Sequence, residues 1–455
     1  MACLGQFMVL LDSTIVGVAL PDMQEQLHTQ LTGLQWIVDA YVLLVAMLLL
    51  TGGVFADRFG RKRMFLAGAV VFTLASVLCA VAPSLDWLIT GRVLQGVGAA
   101  ALSPGSLALL AAAYPVPRER VKAIGLWAGL SGIGLAAGPL AGGILVEAFG
   151  WPAIFLVNVP IGAILVFAAL PTLSESRNPH APAIDVPGTV LSILGVGALT
   201  YGLIEGGSQG WTSPVILGSF AAAVVILAVF VFVEGRSAAP MLPLRLFRER
   251  LFTVSNTAMV LVGFALMGSV FFFSQFFVAV QGSSILGAGL KTLPISLAMV
   301  IVSPYAGKLA AKYGFRIVVT AGMALAGLGL LALGFVHAET VYWDVAWRLV
   351  VAGAGFALTM SPLTGAAIQA VNPQDGGLAS GISSTTRQIG AVLGVAVLGA
   401  IVHARESGGA SFEAGLGSAF VTAGIATLLG AVFTGLWLAK SKPAEVLVPQ
   451  AQPTD

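Results

Sequence analysis

Fourteen apolar stretches, each about twenty residues long, occupy nearly the whole of the 455-residue chain. Hydrocarbon offers a backbone no hydrogen-bond partners, so a stretch of this length reads as an α-helix that satisfies its own amides while crossing a bilayer. Charged residues make up 9% of the chain, against about 25% in soluble domains. That excludes a soluble globular protein. Only two carboxylates, Asp12 and Asp39, sit well inside any of the stretches. A charge at such depth costs roughly 2.5–3.5 kcal/mol on insertion scales, so it usually marks an ion or substrate path.

The basic residues fall on one side. One set of alternate loops holds Arg58, Arg61, Lys62 and Arg63, then Arg118, Arg120, Lys122, Arg177, Arg236, Arg245, Arg248, Arg250, Lys308, Lys312 and Arg316, with Lys440 and Lys442 in the tail. The other set holds Arg405. By the positive-inside rule the first set is cytoplasmic, and an even number of spans puts both termini there. Cys3 and Cys79 fall in or beside apolar helices and imply no disulfide framework. The opening residues lack a basic n-region and a small-residue cleavage site, so they read as a first spanning helix rather than a signal peptide. The short basic loops are explained by topology, and no nucleic-acid partner is expected. No P-loop, serine nucleophile or His/Cys cluster appears, so neither an ATP-driven pump nor an enzyme is expected.

The two ends of the chain repeat each other. Gly53-x-x-Ala56-x-Arg58-Phe59-Gly60 returns as Gly307-x-x-Ala310-x-Lys312-Tyr313-Gly314, Arg92 as Arg348, and Gly134, Gly138 and Gly143 as Gly390, Gly394 and Gly399. Duplication of this kind is a recurring plan of secondary transporters, whose two helical bundles enclose a site near the bilayer midplane. The expected all-α architecture is two pseudo-symmetric six-helix bundles plus two inserted helices. An N-terminal bundle covers 1–171 (spans 1–6), the inserted spans 7 and 8 with their linkers 172–250, a C-terminal bundle 251–439 (spans 9–14), and a cytoplasmic tail 440–455. The Pro-punctuated linker Pro240–Phe247 is expected to lie along the membrane surface.

Five segments carry the candidate chemistry. In the turn Gly53–Arg63, Gly60 permits a backbone conformation closed to bulkier residues, Arg58 and Arg61 anchor topology, and Asp57 closes span 2 within reach of a cation or a helix N-terminus. Arg92 lies about five residues into span 4 beside Gln95, Gly96 and Gly98, where it either finds a partner or snorkels to the interface. Gly134, Gly138 and Gly142 recur every four residues on one face of span 5, which permits close helix approach. Pro139 interrupts the backbone ladder there, and Gly143 follows. Asp12 near the middle of span 1 and Asp39 in span 2 are either proton carriers or satisfied structural groups, with Arg92, Thr14 or Tyr41 as possible partners.

These segments resemble the motifs of the major facilitator superfamily. Gly53–Arg63 is similar to its loop signature, Leu88–Ala100 to its intramembrane arginine motif, and Gly134–Gly143 to the signature of its exporters. The whole chain resembles the fourteen-span drug:proton antiporters, including the methylenomycin A resistance group, through Leu10–Pro21, Gln35–Leu43, Phe149–Gly162 and Thr385–Ile401. The resemblance implies a major facilitator fold, proton transfer involving Arg92, and a Gly-Pro bend that prevents leak. It also implies a latch from Asp57 to the start of span 13 near Gly377, absent from the second repeat where Ala311 stands. Spans 9–14 carry no deep carboxylate, which assigns the proton chemistry to Asp39 and Asp12 with Arg92.

The aromatic run Val270–Phe273 with Phe276 and Phe277 either lines a greasy cavity or packs on neighbours and lipid. Phe272, Phe276, Gln275, Asn256 and Gln95 are the candidate cavity residues. The expected protein is a monomeric proton-coupled efflux antiporter of a bacterial plasma membrane. It would export hydrophobic or cationic drugs with the proton gradient as energy source and no cofactor or metal. The alternatives are a dedicated exporter of an endogenous metabolite and a non-transporting sensor on a transporter fold.

Overall fold

The computed structural model describes residues 1–114, 116–177, 183–372 and 375–438. The tail 440–455 and the side chains of Arg118 and Arg120 lie outside the described residues. Fourteen helices among the described residues are long and apolar enough to cross a membrane. The first six are α1 (Ala2–Gln26), α2 (Leu31–Phe59), α3 (Arg61–Ala80), α4 (Leu85–Ala113), α5 (Pro117–Phe149) and α6 (Ala153–Thr172). Two more follow, α7 (Val186–Gln209) and α8 (Pro214–Glu234). The last six are α9 (Arg250–Val280), α10 (Ile285–Tyr313), α11 (Phe315–Leu333), α12 (Tyr342–Gln369), α13 (Gly376–Ser407) and α14 (Phe412–Trp437).

Several helices outrun their apolar windows. Residues 34–54 predict the second span, yet α2 runs from Leu31 to Phe59, because a helix goes on satisfying its own backbone beyond the hydrocarbon. Two helices are irregular where polar residues sit. The α6 span is broken at Val157 between Ala153–Leu156 and Asn158–Thr172, and α9 ends in a π-helical turn, Phe276–Val280. Gly60 (φ 112°) and Gly314 (φ 83°) take the left-handed conformation at equivalent points of the repeat, where only glycine turns without strain.

Between helices in lipid there is no hydrophobic driving force, so close backbone contact has to supply cohesion. A Cβ on Gly98 of α4 would lie 2.7 Å from the Phe72 amide nitrogen and 2.9 Å from the Gly68 carbonyl oxygen of α3. Gly355 of α12 meets Gly322 and Ala326 of α11 in the same way. Helix α8 lies at the periphery, with 17% of its apolar window buried against 72% for the central α2. Its partner α7 reaches α2 through Thr51 Oγ1 and Thr189 Oγ1 (2.7 Å), and α13 through Gly207 and His403.

The linker is docked on protein instead of lying free on the membrane surface. The Met241 amide donates to Asp185 Oδ2 (3.1 Å) and the Leu242 amide to Glu234 Oε2 (3.2 Å). Its 3-10 turn, Leu244–Arg248, buries Leu246 beside Phe252, Ala379 and Ile382, and Arg245 pairs with Asp375 at the start of α13 (3.1 Å).

The bundles α1–α6 and α9–α14 meet most closely at the membrane face opposite the basic loops. There a Cβ on Gly143 of α5 would lie 2.8 Å from the Leu286 Cα of α10, and Glu147 accepts from the Leu286 amide (3.1 Å). Toward the basic face the same two helices loosen: a Cβ on Gly132 would only just touch Val300, at 4.0 Å, and one on Gly129 of α5 or Gly307 of α10 would meet nothing within 4 Å. Helix α13 follows this pattern. Gly377, Ser380, Ser384, Arg387 and Gln388 are partly or fully exposed, whereas Ala391, Val395 and Leu398 farther along are buried. A cleft therefore enters from the basic face and ends blind near the middle of α13.

Replacing Gly98 by Val should destabilise the first bundle by about 1–3 kcal/mol, because backbone atoms on α3 have nowhere to move. Thermal unfolding of the purified protein in detergent reads this, with Gly218→Ala, at an exposed position with no atom within 4 Å, as the silent control.

Candidate functional site

An ion pair sits in the interior of the first bundle. Arg92 Nη1 of α4 donates to Asp12 Oδ2 of α1 at 2.6 Å, and the two side chains are 1% and 0% exposed. Burying two charges is tolerable only when their remaining donors and acceptors are also met. Here most of them are. Asp12 Oδ1 accepts from Asn158 Nδ2 (3.0 Å) and Gln95 Nε2 (3.2 Å). Arg92 also donates from Nη1 to Gln95 Oε1 (2.7 Å) and from Nε to the Ile37 carbonyl (3.1 Å), and it stacks 4.2 Å over the Tyr41 ring. Gln95 Nε2 continues to Ser76 Oγ (2.8 Å), and Cys79 Sγ approaches Gln95 Oε1 at 3.4 Å. Arg92 does not snorkel; it is a buried strut joining α1, α2 and α4.

Sequence reasoning singled out Asp12 and Arg92 but missed Asn158, which the break in α6 sets beside Asp12. A lone Asn in FLVNVPIG, two residues before a proline, was the available signal. Gln95, a cavity candidate, belongs to this network and is 0% exposed.

Asp39 is the contrast. It too is 0% exposed, but neither carboxyl oxygen has a hydrogen-bond partner among the described residues. Arg92, Thr14 and Tyr41, its expected candidates, are bonded elsewhere. Gln35, one turn earlier on α2, donates to the Val395 carbonyl of α13 (2.8 Å), and Leu50 on the same helix face abuts Gly381. Residues 35, 39, 46 and 50 share that face, so Asp39 stands where α2 faces the second bundle, level with the buried Val392 and Val395. It is an acid at the bundle interface with no counter-charge.

The α5 motif forms the other wall of that interface. Cβ atoms on Gly134 and Gly142 would lie 2.8 and 3.0 Å from the Phe7 and Ile15 carbonyl oxygens of α1, and Gly138 meets Thr14. The next face of α5 meets α10 through Gly143, and the Pro139 carbonyl packs on Gly289. The motif thus binds α1 on one side and α10 on the other. A small cavity of ≈ 50 Å³ lies beside it, lined by Pro139, Leu266, Met267, Val270, Phe273 and Met299 among others.

Phe272, Gln275, Phe276 and Asn256 do not line this cavity. Phe272 stacks edge-on with Phe271, Phe276 with Phe277, Gln275 donates to the Phe271 carbonyl at 3.5 Å, and Asn256 accepts from Thr386 (3.1 Å). A helix shows only part of its surface to a given cavity, and the run's own Val270 and Phe273 hold that position.

In the turn after α2, Asp57 Oδ1 accepts from Arg61 Nε at 2.8 Å, across the bend made by Gly60. Asp57 thus pairs within its own turn, not with α13 near Gly377, which faces open space. Arg58 is exposed, and Gly53 packs at ordinary distance, 3.7 Å, on Pro104. Glu175, not singled out by the sequence, receives the Lys62 amide (3.1 Å) and the Arg63 amide (3.3 Å) at the start of α3. An acceptor at a helix N-terminus meets otherwise orphaned donors.

Two helical bundles with buried charge and an interface closed at one end are the architecture of a membrane transporter. The sequence profile of the Major Facilitator Superfamily matches residues 2–395 and, a second time, 257–454, and the chain belongs to that superfamily. The chain is 42% identical over 402 residues to the multidrug resistance protein Stp of Mycobacterium tuberculosis, covering 88% of this chain and 74% of that one. It is 38% identical over 437 residues to the methylenomycin A resistance protein of Bacillus subtilis, covering 96% and 93%. In fold it matches the crystal structure of a D-xylose–proton symporter with a TM-score of 0.71, 15% identity and 97% coverage of both chains.

Arg92→Met should destabilise the protein by about 3–5 kcal/mol by leaving Asp12 buried and unpaired. Adding Asp12→Asn to it should recover part of the loss. Asp39→Asn, which removes no hydrogen bond, should leave the unfolding midpoint where it is. Thermal unfolding monitored by size-exclusion fluorescence separates the three.

Proposed function

We propose that this protein is a proton-coupled antiporter that exports hydrophobic drugs or antibiotics by alternating access. Its bundles would cover residues 1–171 and 251–439, joined by the inserted pair in 172–250. The observation that carries the proton reading is Asp39, a fully buried carboxyl group without a donor at the interface of the two bundles. A neutral carboxyl group can rest there, whereas an ionised one would be a desolvated, unpaired charge. Asp39 would take a proton when the interface opens to one side and release it when water reaches it from the other. Asp12 has a different task, since Arg92, Gln95 and Asn158 hold its charge in place. It fixes the geometry of the first bundle while Asp39 exchanges protons.

Export is supported by the relatives, which are named for drug and antibiotic resistance. It is also supported by the glycine seam on α5, which lets α1, α5 and α10 close tightly at one face. The proposed setting is a bacterial plasma membrane with the basic loops and both termini in the cytoplasm. The cleft then opens inward, the side from which an exporter loads.

In inverted vesicles with an acid interior, exported compounds should dissipate the pH gradient, and Asp39→Asn should abolish that response. Transport by Asp39→Asn at the wild-type rate would sink the assignment. Orientation is checked separately: a cysteine at Ser237 should react with an impermeant maleimide only from the cytoplasmic side, and one at Ser283 only from outside.

A further inference from the structure

Helix α13 carries six consecutive polar residues, Ser383, Ser384, Thr385, Thr386, Arg387 and Gln388, in the middle of a span. At a 1.5 Å rise per residue, Arg387 lies roughly 17 Å from the helix start, near the centre of the hydrocarbon. Two of its neighbours are turned inward on the protein. Ser383 Oγ donates to the Ala379 carbonyl (2.9 Å), and Thr386 Oγ1 to the Ser383 carbonyl (3.0 Å) and Asn256 Oδ1 (3.1 Å).

Arg387 has no such answer. Its one hydrogen bond is from Nη1 to Gln388 Oε1 at 3.5 Å, and it pairs with no carboxylate among the described residues. The other cations deep in the spans each have a partner, though Nε and Nη1 of Arg348 make no hydrogen bond among the described residues. Arg92 has Asp12, Arg348 has Asp344 at 2.8 Å, and Lys291 has Ser283 Oγ at 2.7 Å and Gln281 Oε1 at 3.3 Å. A guanidinium stays charged, so its cost at this depth must be met by an anion or by water.

Its position supplies access. Gly377, Ser380, Ser384 and Arg387 form the partly exposed strip of α13, and the strip ends there, with Ala391, Val395 and Leu398 buried above. Arg387 therefore stands at the blind end of the cleft. On α9, Gly263 abuts the Arg387 backbone, and one turn farther on Leu266, Met267 and Val270 begin the apolar cavity beside Pro139. Apolar side chains around a small void thus follow the forked cation along α9.

We infer that Arg387, assisted by Gln388, is the anion-binding end of the substrate site, and that the transported class is hydrophobic carboxylates rather than cations. The guanidinium fork binds a carboxylate through two parallel N–H···O bonds, the apolar side chains of Leu266, Met267 and Val270 one turn on meet the hydrocarbon body, and a cationic compound is repelled. The inference rests on the exporter reading for its biological meaning, but it is tested by binding alone, without a proton gradient. Loss of antiport with binding intact would sink proton coupling and leave the anion site standing.

The probe is 1-pyrenebutyrate, compared with its methyl ester and with 1-pyrenebutylamine, by fluorescence anisotropy on purified protein in lipid nanodiscs. The wild type should bind the acid at least tenfold more tightly than the ester or the amine. Arg387→Gln should erase that preference, Arg387→Lys should keep part of it, and Gly218→Ala, at an exposed position of α8, should keep all of it. Gln388→Glu, which places a carboxylate beside the guanidinium, should lose the acid preference at least tenfold even if Arg387→Gln fails to fold. Equal affinity of acid and ester, no saturable binding of the acid, or an unchanged preference in folded Arg387→Gln or Gln388→Glu overturns the inference.

Discussion

The absence of hydrogen-bond partners in hydrocarbon governs this structure more than any single contact. It forces the backbone into fourteen helices. It also divides the polar side chains of the interior into those answered by protein and those left open. Asp12 and Arg92 belong to the first kind, enclosed by Gln95, Asn158, Ser76 and Tyr41. Asp39 and Arg387 belong to the second, one on each bundle. A network that is fully met holds its shape. A group left unmet is sensitive to whatever reaches it, whether a proton, an anion or water.

The same solvent removes the hydrophobic drive between helices, and glycine takes over as the device of cohesion. Within a bundle the effect is permanent, as where α3 and α4 touch through Gly68 and Gly98. Between bundles it must be reversible. At the far face Gly143 and Gly289 let α5 and α10 meet without interlocked side chains, so separating them breaks few specific contacts. Nearer the basic face the helices loosen beyond Gly132, where a Cβ on Gly129 would meet nothing within 4 Å. A seam of small residues, closed at one end and parted at the other, suits a molecule that rocks between two access states. The docked linker adds a tether at the basic face, because Asp185 and Glu234 hold its amides while Arg245 reaches Asp375 of the second bundle.

Much of the site was legible in the residues. Rare charges in apolar runs are conspicuous, and a four-residue glycine period has one reading on a helix, so Asp12, Asp39, Arg92 and the α5 motif stood out. What did not follow was pairing. Asp12 and Asp39 are equally deep and equally plausible partners of Arg92, and helix rotation alone settles that Asp12 receives it. Asn158 was marked only as a lone Asn near a proline and Glu175 not at all, because their partners lie on α1 and α3, more than a hundred residues away. The aromatic run of α9 stayed open between two readings for a related reason: composition names greasy side chains, and only the helix phase tells which of them face a cavity.

The sequence by itself determined the spanning helices and the internal repeat, since hydrophobic length and motif spacing are properties of the chain alone. By the positive-inside rule it also gives the expected orientation. The tertiary structure decided which charges are cancelled and which are not. That depends on distances of a few ångströms between helices far apart in sequence, set by glycine contacts and helix rotation, and it is what separates an internal strut at Asp12 from open charge sites at Asp39 and Arg387.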